Sequence, residues 1–343
     1  MQITSKTEIS ADLWNQFLTA SSRASFLQSW EFGEFYKGLG LKVWRLGLFA
    51  KNNLEGIGLL VKQETRFGSF LYCPGGPLLN HFEEGLKGFL VAARDIAKKE
   101  GCGLIRLDPR LVSEAEVRVL QAQSLKKAAV YTQPQCSLVL DLTQGLDEIK
   151  SGLSDSTRYN IGWVVRKGVA VEISQNPGDF DTFISLLADT ANRHGFKLWR
   201  RTNYYKEQFL AFQKDGKAKL FVAHAPKEFG NQVLAAAVVV YLGDTVTYLH
   251  AASSSNLRNL RAPYLMQWKI IEDAKNSGYK NYDFWGVAAT ESPSDPWAGV
   301  SAFKKSFGGE RVCYQPPFDL PVSGQYYLLI FVEKLRSLAK LFR

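Results

Sequence analysis

A chain of 343 residues, 46% hydrophobic and 22% charged, has material for two ordinary domains and is neither disordered nor of low complexity. Its longest apolar runs, Val233–Tyr241 and Tyr326–Val332, are too short to cross a bilayer, and the start Met1-Gln-Ile-Thr-Ser-Lys lacks the pattern of a signal peptide, so a cytoplasmic protein is expected. The 42 Lys and Arg against 33 Asp and Glu leave a net charge of +9, which favours nucleic acid, anionic lipid or a phosphate-bearing substrate without choosing among them.

In chain order, β-rich runs at Val43–Ala50 and Gly56–Gln63 flank Lys51-Asn52-Asn53, a hairpin signal, and Phe70-Leu71-Tyr72 begins a third strand. Leu86, Phe89, Leu90, Ala93, Ile96 and Ala97 recur at helical spacing up to Gly101, and Leu104–Leu107 reads as the next strand. Asp147–Gly168 reads as one polar-faced helix, followed by another from Phe180 to about Ala191. The first plan then recurs: strands at Lys219–His224, Val233–Tyr241 and Thr245–Leu249, a helix opened by Pro263 and stopped at Gly278, and a strand at Tyr279–Phe284. Tyr72 precedes Asp108 by nearly the distance at which Tyr248 precedes Asp283, so a duplicated α/β unit is expected, divided near Leu142-Thr143. A Pro-rich stretch, 315–322, leads to a last amphipathic helix, for which core packing with a basic outer face is favoured over a place on a membrane surface.

The four cysteines, Cys73, Cys102, Cys136 and Cys313, are far apart and read as buried thiols of a reducing compartment; no zinc spacing is present. The four histidines form no triad spacing, and neither a nucleophile elbow nor a phosphate-binding glycine-lysine loop occurs. Three segments carry chemistry. Arg193–Lys206 holds five Lys or Arg and no acid, with aromatics interleaved, which suits phosphates and bases; a solvated loop accounts for it equally well. Asn256–Pro263 lies where a strand hands over to a helix, but Leu260 and Arg261 stand where a coenzyme A cradle needs glycine, and Pro263 removes a donor. Phe303-Lys304-Lys305-Ser306-Phe307-Gly308-Gly309 sets a lysine among aromatics, where an ammonium can steady an oxyanion or a phosphate; a surface turn is the plainer alternative. Asp108 and Asp283 end strands, the place for a ligand contact or for a turn cap.

In this order the motifs resemble the Fem family of aminoacyltransferases that build peptidoglycan interpeptide bridges. They are Phe26–Trp30 running to Tyr36–Gly40, Tyr72–Pro77, Arg106–Pro109, the Arg-rich segment to Tyr204-Tyr205, Ala262–Trp268, Tyr282–Gly286 and Phe303–Gly309. The resemblance implies an α/β (α+β) protein of two tandem GNAT-like domains with mixed sheets flanked by helices: 1–142 with about 315–343, and 143–314. It implies an aminoacyl-tRNA donor, an acceptor that is UDP-MurNAc-pentapeptide or its lipid-linked form, peripheral contact with the inner membrane surface, and neither metal nor cofactor. Lys304 then matches the cation beside the ester, with Phe303 against the tRNA end. Asp108 matches a carboxylate that orients or deprotonates the amine, and Lys37, Arg201, Tyr205 and His250 match acceptor-binding positions. Two other functions stay open: a GNAT-type acyltransferase using coenzyme A or a carrier on another envelope metabolite, and a non-catalytic RNA-binding module.

Overall fold

Alternating apolar residues, tight turns and one long amphipathic helix build a first sheet. The chain runs through β1 (Ile3–Lys6), α1 (Ala11–Ala20), α2 (Trp30–Gly38), β2 (Val43–Ala50), β3 (Asn53–Thr65), β4 (Gly68–Pro74), β5 (Leu78–Leu79), α3 (Phe82–Lys99), β6 (Leu104–Asp108), α4 (Glu114–Ala122) and β7 (Lys126–Lys127). Ser10 and Ser29 accept from Leu13 N and Phe32 N, capping α1 and α2. A second set follows: β8 (Cys136–Asp141), α5 (Leu146–Ser151), α6 (Asp155–Arg166), β9 (Ala170–Ile173), α7 (Gly178–Arg193), α8 (Thr202–Gln213), β10 (Ala218–His224), β11 (Val233–Leu242), β12 (Thr245–Ser253), α9 (Ala262–Asn276), β13 (Asn281–Val287), α10 (Ala298–Lys305) and β14 (Glu310–Cys313). The chain closes with β15 (Phe318–Pro321) and α11 (Gln325–Leu341). The computed structural model describes residues 3–176, 178–193, 198 and 202–341. Arg201 and Trp199, within the basic segment, lie outside the described residues.

Two compact units result, residues 1–135 with 313–343 and residues 136–312. Each holds a mixed sheet with helices, as the α/β reading expects. The first sheet runs β1-β2-β3-β4-β6-β15-β7, and the second, read from its other edge, β9-β10-β11-β12-β13-β8-β14. In both, an antiparallel meander meets one parallel neighbour, β4 with β6 and β12 with β13, and then an antiparallel strand. The duplicated plan is therefore visible strand by strand.

Several expectations are corrected. The helix read over 147–168 breaks at Gly152–Ser154, where Ser154 accepts from Thr157 N and starts α6 afresh. The Pro-rich stretch contains a strand, because Pro321 sits at its end, where a missing N–H does least harm. Asp108 and Asp283 are not equivalent: Asp108 pairs with Pro74, two residues beyond Tyr72, whereas Asp283 pairs with Thr247, one before Tyr248. Cys73 and Cys102 are free and buried, but Cys136 and Cys313, on the neighbouring strands β8 and β14, are disulfide-bonded; the strands bring together what the sequence separates.

Part of the first unit's motifs is structural. Gln28 is fully buried, donates Nε2 to Pro74 O and accepts from Leu59 N at 2.9 Å, tying β3 to the end of β4. A Cβ on Gly76 would meet that amide at 2.5 Å. Arg45 stacks on Trp30 at 3.7 Å and covers Gly33, where a Cβ would clash with its guanidinium.

β15 and α11 are held to β6 by one buried guanidinium. Arg106 donates Nε and Nη2 to the two carboxylate oxygens of Asp319 at 2.7 and 2.8 Å, and reaches both oxygens of Glu333 at 3.0 and 2.8 Å. Tyr326 and Leu329 turn inward against Leu104 and Phe70. The outer face of α11 is more apolar than expected: Tyr327, Leu328, Phe331 and Leu335 are exposed along it, beside the exposed Lys334 and Arg336.

Candidate active site

The second unit owes its cavity to how its parallel strands part. β12 and β13 pair only from Thr245↔Asn281 to Thr247↔Asp283 and then diverge, leaving a wedge. Two irregularities shape it. Leu249 is a bulge residue in β12, since Val238 pairs with His250 and Val239 with Tyr248. In β13, register against β8 shifts between Asp283 and Gly286, and Trp285 takes a left-handed φ of 60°. The Asp283 carboxylate accepts from Trp285 N at 2.7 Å and from Ser137 Oγ, holding this second bulge in shape. Asp283 thus acts here as the turn cap, one of the two roles open to it from sequence.

Helix α10 closes the wedge. Ala288 N donates to Ser301 Oγ at 2.7 Å, and one turn on, Lys304 Nζ donates to Gly286 O at 2.7 Å. Gly308 and Gly309, with φ of 86° and 96°, turn the chain into β14. Lys304 is only 7% exposed, and burial pushes its ammonium down to about 8, with the Asp283 carboxylate opposing that shift. A cavity of about 630 Å³ opens beside it, lined by Lys304, Phe303, Val300, Tyr248, Leu249 and Met266, among others. Phe303 packs edge-on against Tyr264 and Phe307. Arg193 and Arg258 add two cations to the lining, and Arg193 is held by Ser253 O and Ser255 Oγ, both at 3.1 Å.

The turn between β12 and α9 does not form a phosphate cradle. Leu257 and Arg261 occupy left-handed backbone, φ 49° and 55°, and carry side chains where glycine would leave room. The amides of Leu260, Arg261 and Tyr264 are taken by Leu257 O, Arg258 O and Arg261 O at 2.9 to 3.1 Å, and Pro263 has none to give. A pyrophosphate would find few donors here.

The remaining candidates fall elsewhere. Tyr205 on α8 meets His250 on β12 edge-on at 5.0 Å, and His250 Nε2 lies 2.7 Å from Oε1 of the buried Gln208. Burial pushes the His250 imidazole down to about 4, so it is neutral at pH 7 and latches α8 to the sheet. Lys37 and Asp108 belong to the first unit. Lys37 is exposed near the end of α2, 3.0 Å from Glu34 Oε1. Asp108 is 4% exposed; burial raises its carboxyl, while Arg110 and a 3.2 Å hydrogen bond from Tyr72 Oη oppose the shift. Gln133 Nε2 donates to the same Tyr72 oxygen at 3.1 Å, completing a relay at the end of β4. Sequence reasoning missed Ser301, Gln208 and Tyr248. Ser301 stands one helical turn before Lys304, so it could be read once α10 was; Gln208 could be found only through its partner.

Comparisons with known proteins give the family and the fold. The FemAB family model matches residues 9–130, 119–228 and 217–334, and the chain belongs to the FemAB family. Lipid II:glycine glycyltransferase from Staphylococcus aureus (strain MRSA252) is 22% identical over 408 aligned residues, covering 96% of each protein. Among solved structures, FemX superposes with a TM-score of 0.85 at 21% identity, over 96% of this chain and all of that one. A tandem GNAT protein from the clavulanic acid pathway reaches 0.59 at 10% identity, over 94% and 98% of the two chains. The fold is thus that of FemX and of tandem GNAT proteins. Among the described residues no helix is long and apolar enough to cross a membrane.

Proposed function

We propose that this protein is a transferase that moves an aminoacyl group from aminoacyl-tRNA to the side-chain amine of a peptidoglycan precursor. The lipid-linked precursor is the preferred acceptor, ahead of UDP-MurNAc-pentapeptide. The observation that carries the reading is Lys304, a buried ammonium in the wall of a cavity inside the wedge. An aminoacyl ester is already activated, so the reaction needs neither a covalent nucleophile nor ATP. It needs a cation where the carbonyl oxygen gains charge.

In this reading the ester lies in the wedge with its carbonyl oxygen toward Lys304 Nζ, and Phe303 packs against the terminal nucleoside. The acceptor nitrogen attacks the carbonyl carbon, a C–N bond forms and the ester C–O bond breaks. The proton lost by the amine goes to solvent, and the ribose oxygen that leaves ends as a hydroxyl. Asp108, Lys37, Arg201, Tyr205 and His250 keep the roles that the family resemblance implies, Asp108 for the amine and the others for the acceptor. The relative named for lipid II supports the acceptor class. The spent amides between β12 and α9 speak against a coenzyme A donor.

The test is transfer of radiolabelled amino acid from a full set of charged tRNAs to lipid II in detergent and, separately, to UDP-MurNAc-pentapeptide. Label is expected on lipid II with at least one tRNA. Label on neither acceptor, or equal transfer from an aminoacyl-coenzyme A, overturns the reading.

A further inference from the structure

The two faces of α11 ask for different surroundings. Its inner face is satisfied: Tyr326 and Leu329 are buried against the first sheet and Glu333 is bound by Arg106. Its outer face is apolar without being core. Tyr327 is 67% exposed, Phe331 59% and Leu335 50%, at successive i, i+4 positions, and Leu328, 48% exposed, widens the stripe. Scattered exposed apolar residues mean nothing, but a row along one helix that packing does not require does.

Cations border this stripe. At 3.6 residues per turn, Lys334 lies along one side of it and Arg336 along the other. Arg336 and Arg66 both reach the ring of Phe67, at 5.8 and 6.0 Å, and Lys126 lies 5.6 Å from the ring of Tyr326. Glu333, the one acid of this helix, is turned inward to Arg106. An apolar row with cations along both margins matches an anionic bilayer surface, where side chains enter the acyl boundary and the cations meet lipid phosphates.

We infer that the outer face of α11 is a membrane-docking surface that seats the protein on anionic phospholipid through Tyr327, Leu328, Phe331 and Leu335, with Lys126, Lys334, Arg66 and Arg336 on the headgroups. The inference stands apart from the reaction proposed above, because vesicle binding needs no substrate. Its failure leaves that reaction untouched, and failure of the reaction leaves this surface untouched.

The test is co-sedimentation of the full chain with extruded vesicles, either of phosphatidylglycerol and phosphatidylethanolamine or of phosphatidylcholine alone. Binding is expected to the first and to weaken as salt rises, with little binding to the second. The triple change Tyr327→Ser, Phe331→Ser, Leu335→Ser is expected to lower affinity at least about tenfold, since most of the inserted surface is lost. Lys334→Glu with Arg336→Glu is expected to remove the preference for anionic vesicles. Phe331→Trp supplies a readout that does not depend on the triple variant folding: its emission should shift to the blue on adding anionic vesicles. No binding, equal binding to both vesicle types, or an unshifted emission from the Phe331→Trp variant overturns the inference. So does sedimentation velocity showing a dimer that the triple variant splits, since the face would then belong to a second copy of the chain.

Discussion

The two units carry the same strand order and differ where it matters, at the parallel pair. In the first, β4 and β6 stay paired through five positions, from Phe70↔Leu104 to Pro74↔Asp108. In the second, β12 and β13 separate after the third pair, and α10 delivers Lys304 to the gap. A continuous pair leaves no gap between its strands for a side chain such as Lys304 to enter. The parted pair leaves a cavity beside Lys304, with α10 packed on β13. One architecture thus yields a closed copy and an open one through two bulges and a helix.

The largest effect is expected from uncoupling the closed copy. Asp319→Asn leaves the buried Arg106 short of a carboxylate, which costs about 3–5 kcal/mol where a buried pair is broken. Calorimetry should show the transition of the first unit fall while that of the second holds; an unmoved profile would remove Arg106 as the clamp on β15.

Next comes the open copy. Lys304→Met is expected to lower turnover by about 10²–10³ with little change in acceptor KM, the loss typical of one oxyanion donor. The ammonium titrates near 8, and only its charged form stabilises an anion, so the wild-type rate should fall as pH rises through about 8. A Lys304→Arg variant that retains activity should lose this alkaline limb; a limb unchanged in Lys304→Arg would assign it to another group.

Gly299 offers a gentler probe. It lines the cavity, and a Cβ there meets nothing within 4 Å. Gly299→Ala should leave transfer intact, whereas Gly299→Phe should fill the wedge and cut turnover about tenfold or more without lowering the melting temperature; the scale follows from the loss of a few kcal/mol of positioning. Equal activity in both variants would place the donor outside the wedge. The smallest effect belongs to Lys37→Met, which should raise acceptor KM about fivefold at unchanged turnover, as for one solvent-exposed cation on a phosphate.

Much of the fold could be read in advance because its signals are local. The strands Val43–Ala50 and Val233–Leu242 alternate or run apolar between turn residues, and Phe89 and Ala93 mark the inner face of α3 one turn apart. What escaped depends on partners far away in sequence. β15 is four residues bounded by prolines, and only pairing with β6 makes it a strand. The wedge is a matter of register, and nothing in Tyr282–Gly286 announces that Trp285 will turn left-handed and aim Gly286 O at Lys304. Lys304 draws notice only as one of an ordered set of motifs, since by itself a lysine among phenylalanines suits a surface turn as well, whereas Ser301, which anchors its helix, looks like any serine.

The placement of β15 also constrains the order of events during synthesis. It fills the slot between β6 and β7, yet it is made only after the whole second unit. Until Phe318–Pro321 emerge, the nascent first unit carries β6 as an unpaired edge, with Arg106 lacking both of its carboxylates. The second unit, contiguous from residue 136 to residue 312, meets no such delay. The unit translated first is therefore the one completed last.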